Sequence, residues 1–165
     1  MKLTPKQLAA LNRLQKLKNA QKNFEGFVRL IQPDWDIPQF HLDLIDTLDK
    51  FGKDQWPTKN LLITMPPRHS KSTYCTQLFP AWFMLAKPDR YVMSSSYNSE
   101  LVKGFGRNVR DLFNHPQAQA AFPRSKISKH TRSASQWATQ SGGEYFGVGL
   151  GSTTTGRPAN LLIVD

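Results

Sequence analysis

The sequence contains little of what marks secreted, membrane or disordered proteins. One cysteine in 165 residues excludes an intrachain disulfide and fits a reducing compartment. The longest apolar run, residues 78–86, has nine residues and contains a proline, whereas a membrane-spanning helix needs about 20. The amino terminus also lacks the apolar block of a signal peptide, so we expect a cytoplasmic protein. Hydrophobic residues make up 39%, which suits the core of one ordinary domain and excludes a disordered tail.

Acidic residues are scarce, because 12 Asp and Glu stand against 22 Lys and Arg, and the net charge is +10. Residues 61–165 carry 12 basic and 5 acidic side chains, and residues 103–132 carry seven basic side chains and one acid, Asp111. Such a surplus favours a polyanionic partner through the release of counterions. The alternative is a solvated basic surface without a partner.

Helices are predicted over the first third of the chain. Residues 4–7 (Thr-Pro-Lys-Gln) have the form of a capping box with proline in the first turn, so a helix begins there. Its leucines recur every three residues and predict one apolar stripe: Leu8, Leu11, Leu14 and Leu17. A short helix is predicted over residues 24–31, and a longer one from Pro38 to about Gly52. The inward-facing residues of the longer helix are predicted to be Phe40, Leu44, Ile45 and Leu48.

Strands and helices alternate in the rest of the chain. Buried strands are predicted over residues 60–65, 90–95 and 161–164, and helices over residues 71–85 and 99–113. Two further strands, 134–139 and 144–149, are predicted to form a hairpin across Gly142 and Gly143.

This order predicts an α/β fold with a largely parallel central sheet. We divide the chain into an N-terminal helical segment, residues 1–55, and a core, residues 56–165. Because the last predicted strand reaches the last residue, we expect the core to be incomplete at its C-terminus.

The strongest candidate site is residues 65–73 (Met-Pro-Pro-Arg-His-Ser-Lys-Ser-Thr), between a predicted strand and a predicted helix. A phosphate loop needs backbone N–H groups around the β-phosphate, a lysine for the β- and γ-oxygens, and a hydroxyl for Mg²⁺. Lys71 and Ser72 stand where the lysine and the hydroxyl belong. Met65 and Ser70 replace the two usual glycines, and an unusual backbone angle at a serine costs about 1 kcal/mol. The alternative is a basic loop in front of a helix.

A second motif is the predicted strand 161–164 followed by Asp165. In ATPases a carboxylate at the end of a buried strand holds Mg²⁺, directly or through water. Alone the pattern is weak, because many buried strands end in Asp. Together with a phosphate loop in the same α/β frame, it predicts a nucleotide site.

These motifs together resemble the ATPase domain of the large terminase subunit of tailed double-stranded DNA bacteriophages. Terminases commonly carry a loop of the form P-P-R-x-G-K-S, which residues 66–72 match except at Ser70. Residues 90–97 and the helix after them, with Arg107 and Arg110, are similar to the family's second strand and following helix. Residues 149–160, with their Thr-Gly-Arg, resemble the Gly-rich loop before the family's Walker B strand. The likeness extends from about residue 35 to residue 165.

The resemblance implies a P-loop NTPase fold and an ATPase motor that moves double-stranded DNA into procapsids, with ATP and Mg²⁺ as cofactors. It implies that Lys71 contacts the β- and γ-phosphates and that Ser72 and Asp165 hold Mg²⁺. Arg68 would link the nucleotide state to movement, so that Lys71, Arg68 and Asp165 are the implied catalytic residues. Gln39 would contact adenine. The other implied nucleotide-binding residues are Pro67, His69, Ser70 and Thr73.

The resemblance also implies partners: the small terminase subunit, the portal and procapsid, and further copies of the chain, in the cytoplasm of a bacterial host. The family's water-positioning carboxylate follows the Walker B aspartate, which here would be the position after Asp165, and the nuclease domain comes later still. We therefore expect this chain to bind ATP better than it hydrolyses it. The candidates for an arginine finger are Arg124, Arg132 and Arg157.

Several alternatives stay open. The chain could be another P-loop NTPase of helicase type, or a non-catalytic nucleotide- or DNA-binding interaction module. Residues 124–132 could contact DNA phosphates or form a flexible surface loop. Cys75 and the four histidines do not have the spacing of metal ligands.

Overall fold

The amino-terminal part of the chain is helical, as predicted. A computed structural model describes residues 3–149 and 156–165. Its first three helices are α1 (Pro5–Lys22), α2 (Phe24–Ile31) and α3 (Gln39–Gly52). Thr4 and Gln7 form the predicted capping box at the start of α1. Asn23 separates α1 from α2, and its side chain accepts a hydrogen bond of 2.7 Å from the Gly26 N–H.

A further helix begins at Lys71, directly after the candidate phosphate loop, and this prediction is confirmed. Residues Thr73–Leu78 are π-helical, and the helix continues as α4 (Phe79–Ala86). In the π-helical turn the Phe79 N–H donates to the Tyr74 carbonyl, five residues earlier. Such turns are rare and recur at functional sites.

The second half of the chain contributes two helices and a five-stranded sheet. The helices are α5 (Ser99–Phe113) and α6 (Pro116–Ala121). The strands are β1 (Tyr91–Ser96), β2 (Ile127–Arg132), β3 (Gln136–Thr139), β4 (Glu144–Gly149) and β5 (Leu161–Val164). Their order across the sheet is β2-β3-β4-β1-β5, which places β5 beside β1 at one edge.

The sheet is mixed, so the prediction of a largely parallel sheet is wrong. Strand β1 is parallel to both β4 and β5, whereas β3 is antiparallel to both β2 and β4. The predicted β3–β4 hairpin is confirmed, and Gly142 in its turn has φ +92°, a region that favours glycine. The antiparallel part is larger than predicted because residues 127–132 form β2. They belong to the segment 124–132, for which the sequence leaves DNA contact and a flexible surface loop open.

The predicted strand over residues 60–65 is also wrong, because this segment is extended but does not pair. A cavity of about 430 Å³ lies between residues 60–63 and β5. Among the described residues no strand fills this gap, and a strand exists only where its backbone pairs with a neighbour. The prediction that β5 is buried is confirmed for Leu161, which is 6% exposed, but it is wrong for Leu162 and Val164, which are 60% and 68% exposed. Leu62, in the unpaired segment, is 88% exposed.

Aromatic side chains form the core between the helices and under the sheet. Phe24 of α2 lies 5.5 Å from Phe79 and 5.6 Å from Trp82, measured between ring centroids. Under the sheet, the buried Trp137 ring stacks on Tyr145 at 5.4 Å. A fully buried side chain of this size contributes about 1.5–3 kcal/mol.

Some residues predicted to face inward are exposed instead. Phe40 is 47% exposed, whereas Leu44, Ile45 and Leu48 are buried as predicted. The predicted leucine stripe of α1 packs only at its C-terminal end, through Leu17; the other three leucines are about half exposed. In the described part of the chain, no helix is long and apolar enough to cross a membrane.

Candidate nucleotide site

The two sequence motifs meet in space. Asp165 follows β5, and Lys71 and Ser72 form the first turn of the helix after the loop. The Lys71 Nζ lies 2.9 Å from the Asp165 Oδ1, and the Ser72 hydroxyl donates to the Asp165 Oδ2 at 2.6 Å. Thr76, one turn further along the helix, donates to the same oxygen at 3.4 Å. The lysine that is predicted to contact phosphate and the two residues that are predicted to hold Mg²⁺ are therefore neighbours.

The surroundings of Asp165 keep its carboxylate charged. Its side chain is 13% exposed, and the Lys71 side chain 38%. Burial by itself raises the pKa of Asp165, but the hydrogen bond from Ser72 and the ion pair with Lys71 outweigh burial, so the pKa lies below its usual value. The same ion pair balances the positive charge of Lys71 while the two side chains face each other.

The loop before Lys71 has an unusual backbone. Arg68 has φ +63° and Ser70 has φ +59°, both in the left-handed region. The expectation of an unusual backbone angle at Ser70, where the usual loop has glycine, is confirmed. Residues 67 and 68 form a turn, which engages the His69 N–H, whereas the backbone N–H groups of Arg68 and Ser70 donate to no other group among the described residues. Unpaired N–H groups in a turn of this kind can form a concave binding site for anions.

Two histidines hold the carbonyl groups of this loop. The His69 Nδ1 lies 2.9 Å from the Pro67 carbonyl oxygen, and the His41 Nε2 lies 3.0 Å from the His69 carbonyl oxygen. Because a carbonyl oxygen only accepts, each of these ring nitrogens carries the hydrogen and donates it. The second contact ties the loop to α3.

The other predicted nucleotide-binding residues lie around this loop. Thr73 is half-buried at the start of the π-helical turn, and Pro67 is exposed. Arg68 is exposed and makes no ion pair with another described residue. Gln39 begins α3, where its side-chain amide donates to Asp43 at 2.9 Å. Gln39 itself makes no described contact with the loop, although His41 two residues later does.

The donor atoms fit the predicted magnesium ion. Among the described residues no group of three or more His, Cys, Asp and Glu side chains could hold a metal. Mg²⁺ in nucleotide sites, however, takes one or two protein oxygens and completes its shell with phosphate and water. The Ser72 hydroxyl and the Asp165 carboxylate supply such a pair of oxygens, 2.6 Å apart.

The candidates for an arginine finger differ in their surroundings. The Arg157 guanidinium lies 3.9 Å from the centroid of the Phe146 ring and 3.1 Å from the Glu144 carboxylate. Arg124 is exposed. The side chain of Arg132 and residues 150–155, which include most of the Thr-rich part of the predicted loop, lie outside the described residues.

Sequence reasoning missed two residues at the site, Thr76 and His41. Thr76 could have been found, because it lies one helical turn after Ser72 on the same face. His41 belongs to no motif, and its contact with the loop appears only in three dimensions. Cys75 lines the cavity beside the site, and burial raises the pKa of its thiol to about 12, so that it stays protonated.

Comparison with known proteins does not identify a family for this chain. No protein-family model matches the chain, and searches of curated proteins and of solved structures returned no match. What the chain binds is therefore inferred from the loop and from the contacts of Asp165.

Proposed function

We propose that this chain is the ATP-binding motor portion of a viral DNA-packaging terminase large subunit, a P-loop ATPase that couples ATP hydrolysis to the movement of double-stranded DNA into procapsids. The observation that carries the proposal is the meeting of Lys71 and Ser72 with Asp165 at the end of β5. Nothing in the local sequence requires this meeting. The alternative, a basic loop in front of a helix, does not predict that the loop's lysine and serine contact a carboxylate at the end of a distant strand.

In this proposal the loop supplies the phosphate contacts. The free N–H groups of Arg68 and Ser70 and the Lys71 ammonium bind the phosphate oxygens. Ser72 and Asp165 hold Mg²⁺, which would neutralise charge on the β- and γ-phosphates. Lys71 pairs with Asp165 in this structure, so its ammonium has to leave the carboxylate to reach the phosphates. Arg68 is an exposed residue of the loop, where it can respond to the nucleotide state.

A basic surface supports a nucleic-acid partner. Arg110, Lys126 and Lys129 line a cavity of about 560 Å³. The other residues that line it are uncharged: Asn114, Gln119, Ile127 and Gln140. These three positive charges suit the phosphates of a DNA backbone, and the Arg110 Nε also lies 3.9 Å from the Asp111 carboxylate. The small terminase subunit, the portal and procapsid, and further copies of the chain follow from the resemblance as proposed partners.

Calorimetric titration of the chain with Mg·ATP tests the proposal. We expect saturable binding to the wild type and a loss of about tenfold or more in Lys71→Ala, because a charge-assisted contact with phosphate disappears. Lys16→Ala is the matched control, since Lys16 is an exposed lysine of α1, and α1 contributes no residue to the cavity at Lys71. Circular dichroism establishes that all three proteins are folded. Equal binding by the wild type and Lys71→Ala, or no binding by the folded wild type, would contradict the proposal.

A further inference from the structure

We propose that His41 is a positioning residue of the phosphate loop: from α3 it fixes the peptide between His69 and Ser70, and thereby aims the Ser70 N–H at the phosphates. This inference rests on the proposed nucleotide site. It assigns a role to a histidine that belongs to no motif of the sequence.

The loop needs an external support. Arg68 and Ser70, on either side of His69, both have left-handed backbone angles. Residues other than glycine rarely adopt left-handed backbone angles, and they keep such angles only where the surrounding structure holds them in place. The bond from His69 to the Pro67 carbonyl is internal to the loop, so it moves with the loop. Among the described residues, the hydrogen bond from His41 is the one that joins residues 67–69 to another element.

Because a peptide group is planar, this contact with the His69 carbonyl also fixes the direction of the Ser70 N–H. In a trans peptide the C=O and the next N–H point in opposite directions. The His69 carbonyl points at the His41 ring, 3.0 Å away. The Ser70 N–H therefore points away from α3, and it donates to no described group. If His41 released the carbonyl, this peptide could rotate and turn the N–H away from a bound phosphate.

His41 is itself well placed for this task. Its ring centroid lies 4.7 Å from that of Tyr74, whose side chain is buried in the helix after the loop. Trp35 packs against the Tyr74 ring at 5.8 Å. The imidazole is thus held between α3 and the helix that carries Lys71, while its Nε2 faces the loop. Gln39, the predicted adenine contact, points instead to Asp43 on its own helix.

Two ligands separate loop positioning from base recognition: Mg·ATP and Mg·tripolyphosphate, which has no base. His41→Ala removes one hydrogen bond that positions the phosphate contact, so we expect the Kd to rise about fivefold for both ligands. His41→Gln, whose side-chain amide can donate from a similar position, is expected to restore most of the affinity. Gln39→Ala, which alters the predicted adenine contact and no described contact with the loop, is expected to leave Mg·tripolyphosphate binding unchanged.

His130→Ala is the matched control, because His130 is an exposed histidine on β2. Thermal unfolding of each variant is measured as well, since a purely structural role would lower the Tm without separating His41→Gln from His41→Ala. The inference is overturned if His41→Ala binds tripolyphosphate as the wild type does, or if only ATP binding weakens. If the folded wild type binds neither ligand, the proposed nucleotide site itself fails.

Discussion

At the residue scale, Ser70 has a backbone conformation that is unfavourable for serine and that glycine would adopt more easily. Its φ of +59° is disfavoured for any residue with a Cβ by about 1–2 kcal/mol, although glycine loses more freedom on folding. We therefore expect Ser70→Gly to raise the free energy of unfolding by about 0.5–1 kcal/mol, as measured by urea denaturation.

Ser70→Ala provides the control for this prediction. Alanine lacks the hydroxyl but keeps the Cβ, so its stability should stay close to that of the wild type. A gain of equal size in both variants would mean that the hydroxyl, and not the backbone angle, is unfavourable.

The residues that sequence reasoning found at the site are those whose motifs are local. Lys71 and Ser72 follow a loop and open a helix, and Asp165 ends an apolar run; each feature is visible within ten residues of sequence. His41 could not be found this way, because its partner is a carbonyl 28 positions away. Helical periodicity places Phe40 on the apolar stripe of α3, but it does not indicate which flank of such a stripe stays exposed.

At the element scale, α1 and α2 approach closely at Gly26. A Cβ at this position would lie against the backbone carbonyl of Asn19 and 2.8 Å from the Ala20 nitrogen. The contact is with backbone, which cannot rotate away as a side chain can. We expect Gly26→Ala to push the two helices apart and to lower the free energy of unfolding by about 1–3 kcal/mol.

Gly104 in α5 is the matched control, since a Cβ there meets nothing within 4 Å. Gly104→Ala should raise the free energy of unfolding by up to about 1 kcal/mol, because alanine favours the helix. Both variants are measured by chemical denaturation. If Gly26→Ala were as stable as Gly104→Ala, the close approach of α1 and α2 would be wrong.

Helices and the hairpin were predictable from sequence, and the pairing of the sheet was not. The capping box of α1 and the two glycines between β3 and β4 act through neighbours in the chain. An apolar run such as residues 60–65 reports burial, whereas a strand also needs a partner, which no local pattern reveals. The π-helical turn over Thr73–Leu78 has no known sequence signature that could have been read beforehand.

At the scale of the whole molecule, the net charge of +10 is expected to matter through a particular surface. We expect the double variant Lys126→Glu and Lys129→Glu to bind double-stranded DNA more weakly and with a shallower salt dependence, because about two phosphate contacts are lost. Lys16→Glu with Lys18→Glu makes the same change in charge on the exposed face of α1.

Fluorescence anisotropy at several salt concentrations measures both quantities. The two double variants should differ if the cavity at Arg110 contacts DNA. Equal losses in both would indicate that the net charge alone attracts DNA.

The central claim is that Lys71, Ser72 and Asp165 form one site for a nucleotide and Mg²⁺. The most direct test is the ATP affinity of the wild type and of Asp165→Asn, each measured with Mg²⁺ and with EDTA, with thermal unfolding to establish that both are folded. We predict that Mg²⁺ tightens ATP binding by about tenfold or more in the wild type, and far less in Asp165→Asn, which lacks the charge that attracts the metal. An equal gain from Mg²⁺ in the two proteins would contradict the account.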